Sequence, residues 1–162
     1  KASFKATGQT GVLIAESGIA IDAIVSDFIS GAVEWLSPDN ADDHWDIIEG
    51  QGSIFHPSFA GVSLGLLHGS QPDKFIVCHE PTRTNMRGVE NKLPNISDVI
   101  SKTSELGKLT NPNIKCAGIA LNTSNMTSGS DDLKKEISDQ YSFPCLDPLK
   151  DDLTDFIDLI KK

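Results

Sequence analysis

The sequence predicts an α/β fold, a mostly parallel sheet flanked by helices. Three observations carry that reading. Short segments rich in Ile, Val, Phe, Ala and Cys, each ending at Gly, Pro, Asn or Asp, alternate with segments of helical periodicity. Several of the apolar segments are nearly continuous rather than alternating, as in strands covered on both faces. Strand–helix alternation of this kind builds right-handed βαβ units around a parallel sheet.

The elements follow in order. Phe4–Thr7 is strand-like and runs into the glycine turn Gly8-Gln9-Thr10-Gly11. Residues Gly18–Leu36 place Ile19, Ala23, Ile24, Phe28, Val33 and Leu36 on helical spacings before Ser37-Pro38 ends the run. A second strand covers Trp45–Glu49. A helix over Ser58–His68 follows Pro57, with Gly69 as its C-terminal glycine. Strand Lys74–His79 comes next, then a helix over Ser97–Leu109 that stops before Asn111-Pro112. Strand Lys115–Leu121, helix Ser130–Gln140, strand Phe143–Leu146 and helix Asp151–Lys161 complete the pattern. Both last helices carry acids in the first turn, and the final one ends in lysines, which suits the helix dipole.

A length of 162 residues suits a single α/β domain. With 14 basic and 23 acidic residues the net charge is −9, which disfavours nucleic acid and anionic membranes as partners. No apolar run approaches the roughly 18 residues of a membrane helix, and no signal peptide opens the chain. The chain starts at Lys1 and is almost at once strand-like, as expected for a piece of something longer. Cys78, Cys116 and Cys145 are an odd, well-separated set with no CxxC pair. They read as buried thiols in strands of a cytoplasmic protein, with no metal site.

In open parallel sheets, ligands bind beyond the carboxyl ends of the strands. Here those ends are unusually polar. At the first, Glu49-Gly50-Gln51-Gly52 places an acid at a strand tip followed by alternating glycines. The acid can hold Mg²⁺ or orient a nucleophile while glycine amides approach an anion; the plainer reading is a strand that ends in a glycine turn. His56, before the Pro57-led helix, is either a general base or a packing residue. His44 and His68 read as structural or solvated, and Asp22 and Asp27 as solvent-facing.

At the second end, His79-Glu80 can supply a base or bind metal, and Arg83 and Arg87 can fork onto carboxylate or phosphate oxygens. The plainer alternative is a loop with two solvated arginines. At the third, Asn122-Thr123 can read a purine edge through the asparagine amide, although Asn also simply terminates strands. Gly8-Gln9-Thr10-Gly11 can contact phosphate. No GxxxxGK(S/T), GxSxG or GxGxxG motif is present; Gly107-Lys108-Leu109-Thr110 lacks the preceding glycine.

Ala6–Gly11, Asp27–Ala32, Glu34–Pro38, the unbroken run Trp45–Gly69, His79-Glu80-Pro81 and Leu109–Pro112 together resemble the carboxyl-terminal domain of the DgcN-like family. That family was long catalogued as a domain of unknown function and includes D-glutamate N-acetyltransferases. The resemblance covers essentially the whole chain. It implies a P-loop NTPase-like domain, preceded in full-length members by a Rossmann-like amino-terminal domain, and a likeness to the dethiobiotin synthetase group. The phosphate loop, its strand and its helix fall upstream of Lys1 in such members. Because that strand is central in related folds, the resemblance implies a compensating partner, the missing amino-terminal domain, a homo-oligomer or an altered sheet.

The implied activity is acetyl transfer from acetyl-CoA to the amine of a small-molecule substrate, D-glutamate or another D-amino acid. Residue chemistry casts Glu49 or His79 as base, glycine amides with Gln51 as oxyanion donors, and Arg83 and Arg87 as carboxylate clamps. The alternatives are an ATP- and Mg²⁺-dependent ligase or NTPase, and an inactive binding domain.

Overall fold

The computed structural model describes residues 1–162. In chain order it contains β1 (Ala2–Lys5), α1 (Gln9–Ala15), α2 (Ile29–Leu36), β2 (Trp45–Ile48), α3 (Ala60–Ser70), β3 (Lys74–His79), α4 (Ile96–Gly107), β4 (Lys115–Leu121), α5 (Ser130–Tyr141), β5 (Cys145–Leu146) and α6 (Thr154–Ile160). The fold class is α/β, and every strand pair is parallel. The strands form two sheets, β1-β2 and β3-β4-β5, rather than one. The chain divides into two compact units: Lys1–Pro72 with Leu106–Pro112, and Asp73–Glu105 with Asn113–Lys162.

In the first unit, β1 and β2 pair from Ala2↔Trp45 to Lys5↔Ile48. The long helix expected over Gly18–Leu36 is instead two short 3-10 turns, Ile21–Ala23 and Ser26–Phe28, followed by α2. The reason lies beside β1. The Ile19 and Ile21 amides donate to the carbonyls of Ala6 and Thr7, so they cannot join a helical ladder. Gly18 permits that approach: its φ is +133°, and a β-carbon there would lie 2.5 Å from the Ala6 oxygen. Ile21, Ile29, Val33 and Leu66 form the core, with Ile19, Ile24, Ala32, Ile48 and Val62 packed against them. Each full burial of such a side chain is worth about 1.5–3 kcal/mol.

Gly69 lies inside α3 and does not end it; Gln71 caps the helix in the left-handed conformation at φ 43°. What position 69 requires is space, because a β-carbon there would meet the backbone of Ser30 in α2 at 2.7 Å. α1 was not legible as a helix. At the opposite end of the sheet from the glycine turn, Asp46 accepts hydrogen bonds from Ser3, Ser37 and Asn40. Burial alone would push its carboxyl up, but the Ser37 and Ser3 hydroxyls and the Lys5 charge hold it below the ordinary value. His44 bonds Ser3 and lies near Asp46, and His68 meets the Leu106 carbonyl, so both have structural partners.

In the second unit, β3 and β4 have the expected bounds. They pair from Lys74↔Lys115 to His79↔Leu121, with a register shift after Phe75. β5 is only Cys145–Leu146, paired with Ile119 and Ala120. Val77, Ile96, Ile119, Leu121 and Ile137 are buried together, joined by Phe75, Val99, Ile100, Leu133 and Phe143. Asn95 accepts the Asp98 amide and caps α4, two residues before Ser97, where the sequence placed the cap. Of the three free thiols, Cys116 and Cys145 are partly buried. Cys78 is exposed, contrary to expectation, because its neighbour Val77 takes the covered face of β3. Burial, partly offset by Lys134, pushes the Cys145 thiol up to about 11.

Candidate functional site

Each unit gathers polar groups at the carboxyl ends of its parallel strands. In the first, Lys5 pairs with Ile48, so the residues just after β1 meet those just after β2. Glu49 Oε2 accepts the backbone amides of Thr7 and Gly8, both at 2.9 Å. The fully buried Thr7 donates its hydroxyl to the Glu49 carbonyl at 2.7 Å and accepts Gln51 Nε2 at 2.8 Å. Glu49, Gln51, Thr7 and Gly8 therefore form one hydrogen-bonded knot.

The knot rests against the first turn of α1. Gly11 is buried under the Glu49 carboxylate, while Gln9 reaches Asp22 at 3.3 Å and Thr10 is exposed. The amide of Gly8, the first residue of the candidate anion loop, is thus already satisfied, with that of Thr7 before it, by an anion from the protein itself. Gly50 borders open space, and Gly52 lies against Phe59, where a β-carbon would fall 2.7 Å from the side chain. His56 is 5% exposed. Its Nδ1 accepts the Ser58 amide at 3.1 Å, its carbonyl accepts the Ala60 amide at the start of α3, and its ring sits 4.4 Å from that of Phe59.

In the second unit, His79 ends β3 opposite Leu121, and its carbonyl accepts the Asn122 amide at 2.9 Å. Burial lowers the His79 pKa, with Glu80 pulling the other way, so the ring is neutral near pH 7. Glu80 is held below the ordinary carboxylate range, first by Asn125 and then by Thr82, with Arg83 adding to the effect. The distances are 2.8 Å from Asn125 Nδ2, 3.0 Å from the Thr82 hydroxyl and 2.5 Å from Arg83 Nη2. Arg83 is therefore anchored by Glu80 while its side chain stays 44% exposed; Arg87 is also exposed.

Asn122 and Thr123 face opposite ways. Asn122 is exposed, and its Oδ1 accepts the Ser124 amide at 3.1 Å. Thr123 is fully buried and donates both its amide and its hydroxyl to Asp147 Oδ2, at 3.2 and 2.5 Å. Lys150 Nζ donates to the Thr123 hydroxyl oxygen at 2.6 Å, and Asp151 accepts the Asp147 amide while pairing with Lys134. The Thr123 hydrogen bond, above all, holds the Asp147 carboxyl below its ordinary range; Lys134 does the same for Asp151.

Sequence reading expected its candidate groups at one common rim, whereas they fall in two sets: Glu49, Gln51 and Gly8 after β1 and β2, and His79, Glu80, Arg83 and Asn122 after β3 and β4. It missed Asn125, Asp147 and Lys150. Asp147 directly follows β5, so the strand-end rule that singled out Glu49 and Asn122 points to it as well. No group of three or more His, Cys, Asp or Glu side chains is placed to hold a metal ion.

Comparison with known proteins places the chain in a family. The chain is 52% identical over 150 residues to a D-glutamate N-acetyltransferase of Pseudoalteromonas sp, a match covering 91% of this chain and 45% of that protein. It is 44% identical over 154 residues to a D-glutamate N-acetyltransferase of Tritonibacter scottomollicae, covering 93% of this chain and 46% of that one. The chain thus spans a little under half the length of these curated relatives. A crystal structure of a DUF1611 family protein from Anabaena variabilis superposes with a TM-score of 0.88 at 28% identity, over 100% of this chain and 49% of that one. A family model described as a domain of unknown function, the P-loop domain DUF1611_C, matches residues 1–157, and the chain belongs to that family.

Proposed function

We propose that the chain forms part of an N-acetyltransferase that moves an acetyl group from acetyl-CoA to the amine of a D-amino acid such as D-glutamate. The observation that carries this reading is the 52% identity, over 91% of the chain, to a relative named for that activity. In the reaction the amine lone pair attacks the thioester carbonyl. A C–N bond forms, the C–S bond breaks, the amine gives up a proton, and the thiolate leaves and is protonated.

His79 is the preferred proton acceptor, because burial keeps its ring neutral near pH 7. For a site within the first unit, Glu49 is the alternative acceptor, through Oε1, since Oε2 already accepts two amides. Arg87 and the anchored Arg83 suit the carboxylates of the amino acid. The Asn122 amide group suits an acceptor atom of the acyl donor. Acetyl-CoA supplies the acyl group and the thiol leaving group. The test is release of free CoA thiol by the intact protein with acetyl-CoA and a panel of D-amino acids. Turnover with D-glutamate is expected; no thiol release with any of them sinks the reading.

A second reading, nucleotide binding, is favoured by the family's description as a P-loop domain. The sequence here holds no GxxxxGK(S/T) motif, and its acids do not gather as a metal site, so no step is assigned to ATP or Mg²⁺. Calorimetry of the intact protein with Mg·ATP separates the two readings. Binding heat with hydrolysis supports the second, and neither heat nor hydrolysis removes it.

A further inference from the structure

We infer that Asp147 is a positioning residue for the turn Asn122–Asn125, locking it so that Asn122 presents a hydrogen-bond donor to the acyl donor. The inference rests on the acetyltransferase reading above and assigns a role to a residue outside its chemistry.

Asp147 and Thr123 are both fully buried, and their side chains are joined at 2.5 Å. A buried carboxylate is a poor device for stability alone, because well-packed apolar residues often do as well or better. Here it is fully engaged. Oδ2 takes the amide and hydroxyl of Thr123, Oδ1 takes the Leu149 amide at 3.0 Å, and Lys150 lies 3.8 Å away. Lys150 also donates to the carbonyl and hydroxyl of Thr123, so that residue is gripped from backbone and side chain together.

Its neighbours inherit the constraint. Asn122 has one carbonyl lone pair committed to the Ser124 amide, which fixes the amide group with Nδ2 as its outward donor. Three residues on, Asn125 spends its own Nδ2 on Glu80, the residue that anchors Arg83. A donor presented in this way selects an acceptor on the ligand, such as a ring nitrogen, a carbonyl or a phosphate oxygen. At metal sites, loss of an outer group that orients a ligating side chain typically costs about 10–100-fold in affinity, and a loss of the same order is expected here.

Asp147→Asn keeps the shape but puts an NH2 group where one oxygen stood, against donors. In the intact protein we expect acetyl-CoA affinity, measured by calorimetry, to fall at least about tenfold. Amide exchange of residues 123–125 is expected to speed up at least about tenfold, while exchange in the body of β3 and β4 is unchanged. Thr123→Val tests the same link from the other side should Asp147→Asn fail to fold, with the same expected losses. Unaltered exchange overturns the inference, and so does faster exchange with wild-type affinity, which makes Asp147 structural only. If the wild-type protein neither binds nor turns over acetyl-CoA, the acetyltransferase reading falls and takes this inference with it. Wild-type binding with an equally tight folded variant overturns the inference alone.

Discussion

The Glu49 carboxylate lies in the space that a side chain at Gly11 would need: a β-carbon on residue 11 would fall 2.1 Å from Oε2. That oxygen cannot retreat cheaply, because it accepts the amides of Thr7 and Gly8. Gly11→Ala must either shift the first turn of α1 or break those two bonds. The expected loss is about 1–3 kcal/mol, the range for forced overpacking. Gly50→Ala, which meets open space, should stay within about 0.5 kcal/mol. Urea unfolding of both variants checks the contrast.

Replacing Glu49 itself separates its two capacities. Glu49→Gln can keep an oxygen toward the Thr7 and Gly8 amides, so the fold should survive, while the ionised Oε1 is lost. If that oxygen takes part in the chemistry, turnover in the intact protein falls at least about tenfold. Glu49→Ala should in addition lose about 1–3 kcal/mol, because two partly covered amides lose their acceptor. Wild-type turnover in Glu49→Gln would leave Glu49 as a clamp on the Thr7 loop and nothing more.

Burial of His79 has a pH consequence with a definite sign. Its folded pKa lies below the ordinary imidazole value of 6.5, so the unfolded chain binds more protons as pH falls through that range. Stability is therefore unaffected by His79 above about pH 6.5 and declines as pH drops toward the lowered value. His79→Gln should flatten that slope in thermal scans between about pH 5 and 7. In the intact protein the acid limb of kcat/KM should have an apparent pKa below 6.5 and disappear in the variant.

Strand ends were legible because they follow from local pattern. Lys74–His79 and Lys115–Leu121 are apolar runs with polar stops, and their bounds in the structure are the expected ones. Segment Gly18–Leu36 misled because its spacings are helical, yet the Ile19 and Ile21 amides are taken by the end of β1, a tertiary demand that no periodicity records. α1 escaped notice for the opposite reason. It is only seven residues long, and Leu13 and Ile14 stand 80% and 76% exposed, so no apolar face announces it. Glu49, His79 and Asn122 could be picked out one by one. The Thr123–Asp147 pair could not, since it joins residues 24 apart through the parallel register of β4 and β5.

The carboxylates of the second unit move stability in the same direction as His79, but at lower pH. Asp147, bonded by Thr123, and Asp151, bonded by Lys134, both have folded pKa values below the ordinary 3.8. Their contribution is fully present above about pH 3.8 and is lost as pH falls through the lowered values. Asp151→Asn should reduce stability at pH 7 and soften the acid transition. It weakens the Lys134 pair and replaces an acceptor of the Asp147 amide. Chemical denaturation at pH 7 and pH 3 measures both effects; equal losses at the two values would contradict the assignment.

Helix packing in the first unit offers a paired test of glycine. At Gly69, within α3, a β-carbon would lie 2.7 Å from both the Cα and the carbonyl oxygen of Ser30 in α2. Backbone atoms cannot rotate away, so α2 and α3 would have to separate along the line where Ile29 and Val33 are buried beside Leu66. Gly69→Ala should therefore cost about 1–3 kcal/mol, despite the better helix propensity of alanine. At Gly31, within α2, nothing lies within 4 Å of the added carbon. Gly31→Ala should stabilise by up to about 1 kcal/mol, because alanine loses less backbone entropy on folding. Opposite signs at two helical glycines, read from urea midpoints at constant m, would show that the close approach of these helices decides the outcome and propensity does not.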